Sequence, residues 1–80
     1  MKPQDQRTNI SNFELNEQLK RAYNNLPVSI FSQVREELCK ECYWGVGTFY
    51  ARINSKRPVK ELEIPIIIKV FEKYGVKVFN

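Results

Sequence analysis

Four cations, Arg52, Lys56, Arg57 and Lys60, fall within residues 42–60 of an 80-residue chain, and no acidic residue falls among them. The rest of the sequence is balanced: residues 1–41 carry six basic and six acidic side chains, and residues 61–80 carry three of each. The net charge of +4 therefore sits in one strip. A strip of that kind creates a local positive potential suited to phosphate, although a solvated loop rich in lysine and arginine has the same composition. The second group with chemical potential is Cys39-Lys-Glu-Cys42. A structural zinc site needs four ligands, and the chain has no histidine and no second cysteine pair. A redox pair of the thioredoxin kind places its first cysteine at a helix N-terminus, whereas both of these come late in an expected helix, on its inward side. They read as small buried apolar residues. Without histidine, the usual proton-transfer partner of a serine or cysteine nucleophile is missing. There is also no paired-acid cluster and no glycine-rich phosphate loop, so neither an enzyme nor a cofactor is expected.

The elements that must position these residues follow from apolar spacing. Residues 1–12 are polar apart from Met1, Pro3 and Ile10, and residues 1–11 read as a flexible leader to a single domain over 12–80. Ser11 and Glu14 match a capping box, and behind them Leu15, Leu19, Ala22 and Leu26 recur at helical spacing. The spacing predicts a first helix over 12–25, ended by Asn24, Asn25 and Pro27. A second helix should start between Pro27 and Ser29, with Phe31, Val34, Leu38 and Cys42 forming its apolar stripe. Tyr43, Trp44 and Gly45 interrupt it. A third helix is expected over 46–54, with Val46, Phe49 and Ile53 inward and Thr48, Ala51 and Ser55 outward, flanked by Arg52 and Gly47. A basic loop leads to a last helix that begins near Ile64 or Pro65, turns Ile67, Val70, Phe71 and Tyr74 inward, and stops at Gly75. Residues 76–79 alternate like a short strand, which would pair with a second chain or cover the core. The fold class expected is all-α, about four helices containing a helix-turn-helix, with or without that terminal strand.

Length and composition set the remaining bounds. A chain this short buries only about 60–65% of its unfolded surface, so its stability is marginal. The longest apolar run, residues 64–68, falls far below the roughly 20 residues that span a bilayer, and the start lacks the apolar stretch of a secretory signal. A cytoplasmic protein is expected.

The run Thr-Phe-Tyr-Ala-Arg-Ile-Asn-Ser-Lys-Arg from Thr48 resembles the recognition helix and exit of lambda-repressor-like helix-turn-helix proteins. Thr48, Asn54, Lys56 and Arg57 match that pattern directly, Phe49 and Ile53 fill its core positions, and Phe31 to Cys42 match the supporting helix. The resemblance covers roughly residues 28–75. It departs at Tyr43, where the family usually has glycine, at Ser55 in place of Asn-Gly, and at Pro65 in the following helix.

The resemblance implies sequence-specific binding of double-stranded DNA and transcriptional control, with helix 46–54 in the major groove. Thr48, Tyr50, Ala51 and Arg52 would face base edges or the adjoining backbone. Asn54, Lys56 and Arg57 would contact phosphates, and Gln33 and Arg35 would reach a flanking phosphate. Tyr50 or Ala51 would touch thymine methyls and Arg52 would read guanine; the alternative for Tyr50 is to flank the core beside Phe49. A homodimer is compatible with this, since half-sites are usually read in pairs. The alternative is a protein–protein interaction module on the same fold, with Tyr43, Trp44 and Tyr50 as an adhesive patch. For Trp44 the commoner role is a partly buried wedge between helices.

Overall fold

Helices of eight to twelve residues, as three of the four in this chain are, are too short to persist alone, so packing decides where they begin and end. The structure, a computed structural model, describes residues 2–79, with side chains from Phe13 onward. It is an all-α domain of four helices: α1 (Lys2–Asn24), α2 (Phe31–Cys42), α3 (Val46–Ile53) and α4 (Ile64–Glu72). Short 3-10 turns, Val28–Ile30 and Glu61–Glu63, lead into α2 and α4. No strand occurs among the described residues. Residues 76–79 are instead a cover for the core, with Val78 buried and Val76 and Phe79 packed against it.

The core joins Leu19, Ala22, Tyr23 and Leu26 of α1 and the turn after it, Val34 and Leu38 of α2, Phe49 and Ile53 of α3, and Ile67, Val70 and Phe71 of α4. An aromatic cluster lies at its centre. Tyr23 stacks on Phe31 with ring centroids 4.8 Å apart, and Phe49 meets Tyr23 edge-on at 5.3 Å. Phe49 is wholly buried, as its spacing requires.

Two expectations about helix ends are corrected. α1 begins at Lys2 rather than at residue 12, so Ser11 is not its N-cap; the Ser11 side chain lies outside the described residues. Proline at position 3 and an acid at position 5 suit a first helical turn. The apolar stripe begins only at Leu15, which is why periodicity gave no signal for the earlier part. At the other end of the chain, Pro65 does not interrupt α4 but occupies its first turn, where the missing N–H would be unpaired anyway.

Three helices close in the same way. Behind α4, Gly75 has a positive φ of 73°, the Gly75 N–H donates to the Glu72 carbonyl, and the Val76 N–H donates to the Phe71 carbonyl. That is a Schellman closure. α2 ends with Tyr43 at φ 59° and the Trp44 N–H donating to the Cys39 carbonyl, 2.9 Å away. α3 ends with Ser55 at φ 61°, where the Ser55 N–H donates to Arg52 and the Lys56 N–H donates to Ala51. The glycine that the turn lacks at Tyr43 is therefore missing from a left-handed site.

Two stability measurements follow. Phe49→Ala should cost about 3–5 kcal/mol, enough to unfold much of the population of so small a domain, seen as a collapse of the thermal transition. Tyr43→Gly should act oppositely. A left-handed L-residue costs roughly 1–2 kcal/mol, glycine gives back part of this through backbone entropy, and Tyr43 is 94% exposed, so little packing is lost. The urea midpoint should rise by an amount equivalent to as much as about 1 kcal/mol, with an unchanged m-value.

Candidate functional site

α2, the turn Tyr43, Trp44 and Gly45, and α3 form a helix-turn-helix unit, and the loop over residues 55–60 runs away from the end of α3. An eight-residue helix has little capacity to hold its own orientation, and two polar groups, one buried and one half-buried, fix it. Asn16 of α1 is fully buried. Its Nδ2 donates to the carbonyls of Arg52 at 2.7 Å and Arg57 at 2.8 Å, and its Oδ1 accepts the Val59 N–H at 3.1 Å. One carboxamide thus ties the end of α3 and both sides of the basic loop to α1.

Glu63 ties down the opposite side. Its carboxylate accepts the Trp44 indole N–H at 2.9 Å, Arg52 Nε at 3.1 Å, Arg52 Nη2 at 2.9 Å and the Lys60 backbone N–H at 2.9 Å. The Arg52 guanidinium also lies over the Trp44 ring, 5.4 Å from its centroid. Burial pushes the Glu63 carboxyl up, but the hydrogen bonds from Arg52, the Lys60 N–H and Trp44, together with the Arg52 charge, outweigh it and hold it below the ordinary carboxylate value.

These contacts turn α3 about its axis relative to the expected register. Its buried residues are Phe49, Arg52 and Ile53, because Arg52 finds a carboxylate and an indole inside. Arg52 is only 4% exposed and committed to Glu63, so it does not present its guanidinium to a base edge. Val46, expected inward, is 59% exposed. Thr48 and Ala51 are half-buried on the flank rather than central to the open face.

The open face of α3 consists of Val46, Gly47 and Tyr50, followed by Asn54 at its end. Tyr50 is 43% exposed and also sits edge-on against Phe49 with centroids 5.0 Å apart, so it combines the two roles left open by the sequence. Arg35, half-buried on α2, faces it, and the Tyr50 side chain is the strongest influence holding the Arg35 guanidinium pKa up. Gln33, Lys56 and Arg57 are exposed. An open groove of about 1130 Å³ brings Arg57 and Lys60 together with Gly47, Thr48 and Ala51, with Trp44, Arg52 and Glu63 along its lining. Lys56 lies outside that lining. Trp44 is buried as the wedge between the helices, which removes it from any adhesive patch with Tyr43 and Tyr50.

Cys39 and Cys42 are free thiols, both half-buried. Burial raises Cys39 and pushes Cys42 up to about 12. An activated thiol has the opposite shift. Among the described residues no group of three or more metal-ligating side chains is gathered, and no helix is long and apolar enough to cross a membrane.

Sequence reasoning missed Asn16 and Glu63. Asn16 had a signal, since positions 16, 19, 23 and 26 share one helical face and a polar residue on an apolar face must be hydrogen-bonded. Glu63 had only its position three residues after the start of a helical turn, where an acid reaches back to a free N–H.

The network makes stability acid-sensitive. A carboxyl held low in the folded state contributes stability that is complete above its unfolded value, near pH 4.3, and is lost as pH falls through the folded value. Glu37, held low by hydrogen bonds from Lys73 and Tyr74, adds a loss of the same sign, so Glu63 is isolated by comparing variants. Glu63→Gln leaves the buried Arg52 charge unpaired and should cost towards the lower end of about 3–5 kcal/mol at neutral pH. In denaturation at successively lower pH, the gap between wild type and variant should narrow only once pH falls below the unfolded carboxyl value, near 4.3, and on through the lowered folded one. No family model, curated protein or solved structure matches the chain, so this surface is read from its geometry alone.

Proposed function

We propose that the chain binds double-stranded DNA sequence-specifically as a small transcriptional regulator, with α3 in the major groove. The observation that carries this reading is the groove shared by Arg57, Lys60 and the flank of α3, next to a helix face that bears no acidic residue. Withdrawing Arg52 leaves Lys56, Arg57 and Lys60 as the exposed cations at the exit of α3. Two acids, Glu61 and Glu63, also line the groove; Arg52 neutralises Glu63, and Arg57 and Lys60 outnumber Glu61. A phosphate backbone along the groove would meet net positive charge, and phosphate contacts fix the register of a helix on the duplex.

Exposed Gln33 and half-buried Arg35, in the first half of α2, would meet a second phosphate. Asn54 stands at the helix end, where a carboxamide suits a sugar-phosphate contact. The same reading keeps the cytoplasmic placement expected from the sequence and gives no catalytic role to Cys39 or Cys42. The exposed Tyr43 and Tyr50 also fit a protein-interaction surface, which the test below separates from DNA binding.

Affinity for duplex DNA should fall steeply with salt, because each neutralised phosphate releases counterions at a slope of about −0.9 in log K against log salt. Lys56→Ala and Arg57→Ala should each weaken binding to every sequence alike and reduce the slope by about 1. Stoichiometry from the same titration tells whether one or two copies occupy a site. A chain that binds no duplex above background at low salt, even from a randomised pool, would favour the interaction module.

A further inference from the structure

Two glycines lie on the open side of α3: Gly45 is its N-cap, a position that glycine commonly fills, whereas Gly47 in the first turn has no internal explanation. Neither Gly45 nor Gly47 has a positive φ, and a Cβ added to either would meet nothing within 4 Å. Glycine weakens a helix at position 47, where alanine would be accommodated without a clash. Their effect is to bare the backbone on either side of Val46, which stands 59% exposed between them. One turn further on the same face is Tyr50, whose hydroxyl faces Arg35 and which is itself exposed.

Resting on the DNA-binding reading above, we propose that α3 recognises thymine through its C5-methyl group, with Val46 and Tyr50 as the contacting side chains and Gly45 and Gly47 allowing the close approach. A recognition helix reads base edges with its N-terminal residues. In this helix those residues offer no exposed side-chain amide, carboxylate or guanidinium. Arg52, the group suited to guanine, is held by Glu63 and Trp44. Asn54, which has an amide suited to adenine, lies at the far end of the helix. Thr48 is half-buried and the Tyr50 hydroxyl is engaged by Arg35, so what stands open at the front is chiefly Val46 and the Tyr50 ring, and the thymine methyl is the apolar feature of the major groove. The cations beside this face, half-buried Arg35 and exposed Lys56 and Arg57, complement a duplex rather than another apolar protein surface.

The test uses the full chain and a duplex selected from a randomised pool, with each thymine replaced in turn by deoxyuridine, which lacks only the methyl. At one or more positions affinity should fall roughly fourfold, the factor expected for one buried methyl, and elsewhere it should not change. Val46→Ala, checked for an unchanged melting temperature, should weaken binding to the thymine duplex while bringing the thymine-to-uracil ratio at one such position towards unity. Specific binding that is indifferent to every thymine-to-uracil exchange would overturn the inference and leave the DNA-binding reading intact. Full discrimination retained in Val46→Ala at every position would overturn the assignment of Val46. Failure to bind any duplex at low salt would overturn both readings together.

Discussion

The carboxylate of Glu63 is the point on which the helix-turn-helix unit depends. It sits between the turn, α3 and the loop that follows, and it satisfies a donor from each: the Trp44 indole, the Arg52 guanidinium and the Lys60 N–H. A buried ion pair of this kind is weak evidence for stability, since desolvating both charges offsets much of their attraction. Its consequence is orientational. Because Arg52 can be buried only where Glu63 meets it, the rotation of α3 about its own axis is limited to one setting. The cation–π contact with Trp44 and the edge-on packing of Phe49 against Tyr23 hold that setting from the apolar side.

Asn16 completes the constraint from the opposite direction. Leaving any of its three partners unpaired in the interior would carry a desolvation penalty, and no buried side-chain polar atom among the described residues lacks a partner. The long first helix thereby acts on the candidate site without contributing a side chain to its open face. It holds the carbonyls of Arg52 and Arg57 and the N–H of Val59, and so sets where the basic loop leaves α3. Tyr43 and Ser55, at the two ends of the same unit, are held in left-handed conformations. Strained positions of that kind persist only where the surroundings over-determine the backbone, and here closures at the ends of α2 and α3 supply that determination.

Removing Arg52 from the surface changes the character of the open face. A helix expected to present a guanidinium beside threonine and alanine instead presents valine, glycine and tyrosine, with the free cations displaced to its edges. Charge and shape are thus separated: exposed Lys56 and Arg57 lie at the exit of α3, while its front is apolar.

The order and identity of the elements were legible in the sequence for a direct physical reason. Apolar residues at positions 31, 34 and 38, and at 67, 70 and 71, can be buried together only on a helix, and Gly75 and Pro65 mark residue types with few other uses. The inward position of Phe49 followed from the same periodicity. The facing of α3 did not, because periodicity treats arginine as polar and valine as apolar whatever surrounds them. Val46 was read inward and Arg52 outward, yet a partner eleven residues downstream and an indole in the turn reversed both. The early start of α1 was hidden because its first turns lack an apolar stripe, and the role of Asn16 because its partners lie more than 35 residues away. Local spacing determines which residues share a helix face; which face turns inward is decided by polar partners that only the folded chain brings together.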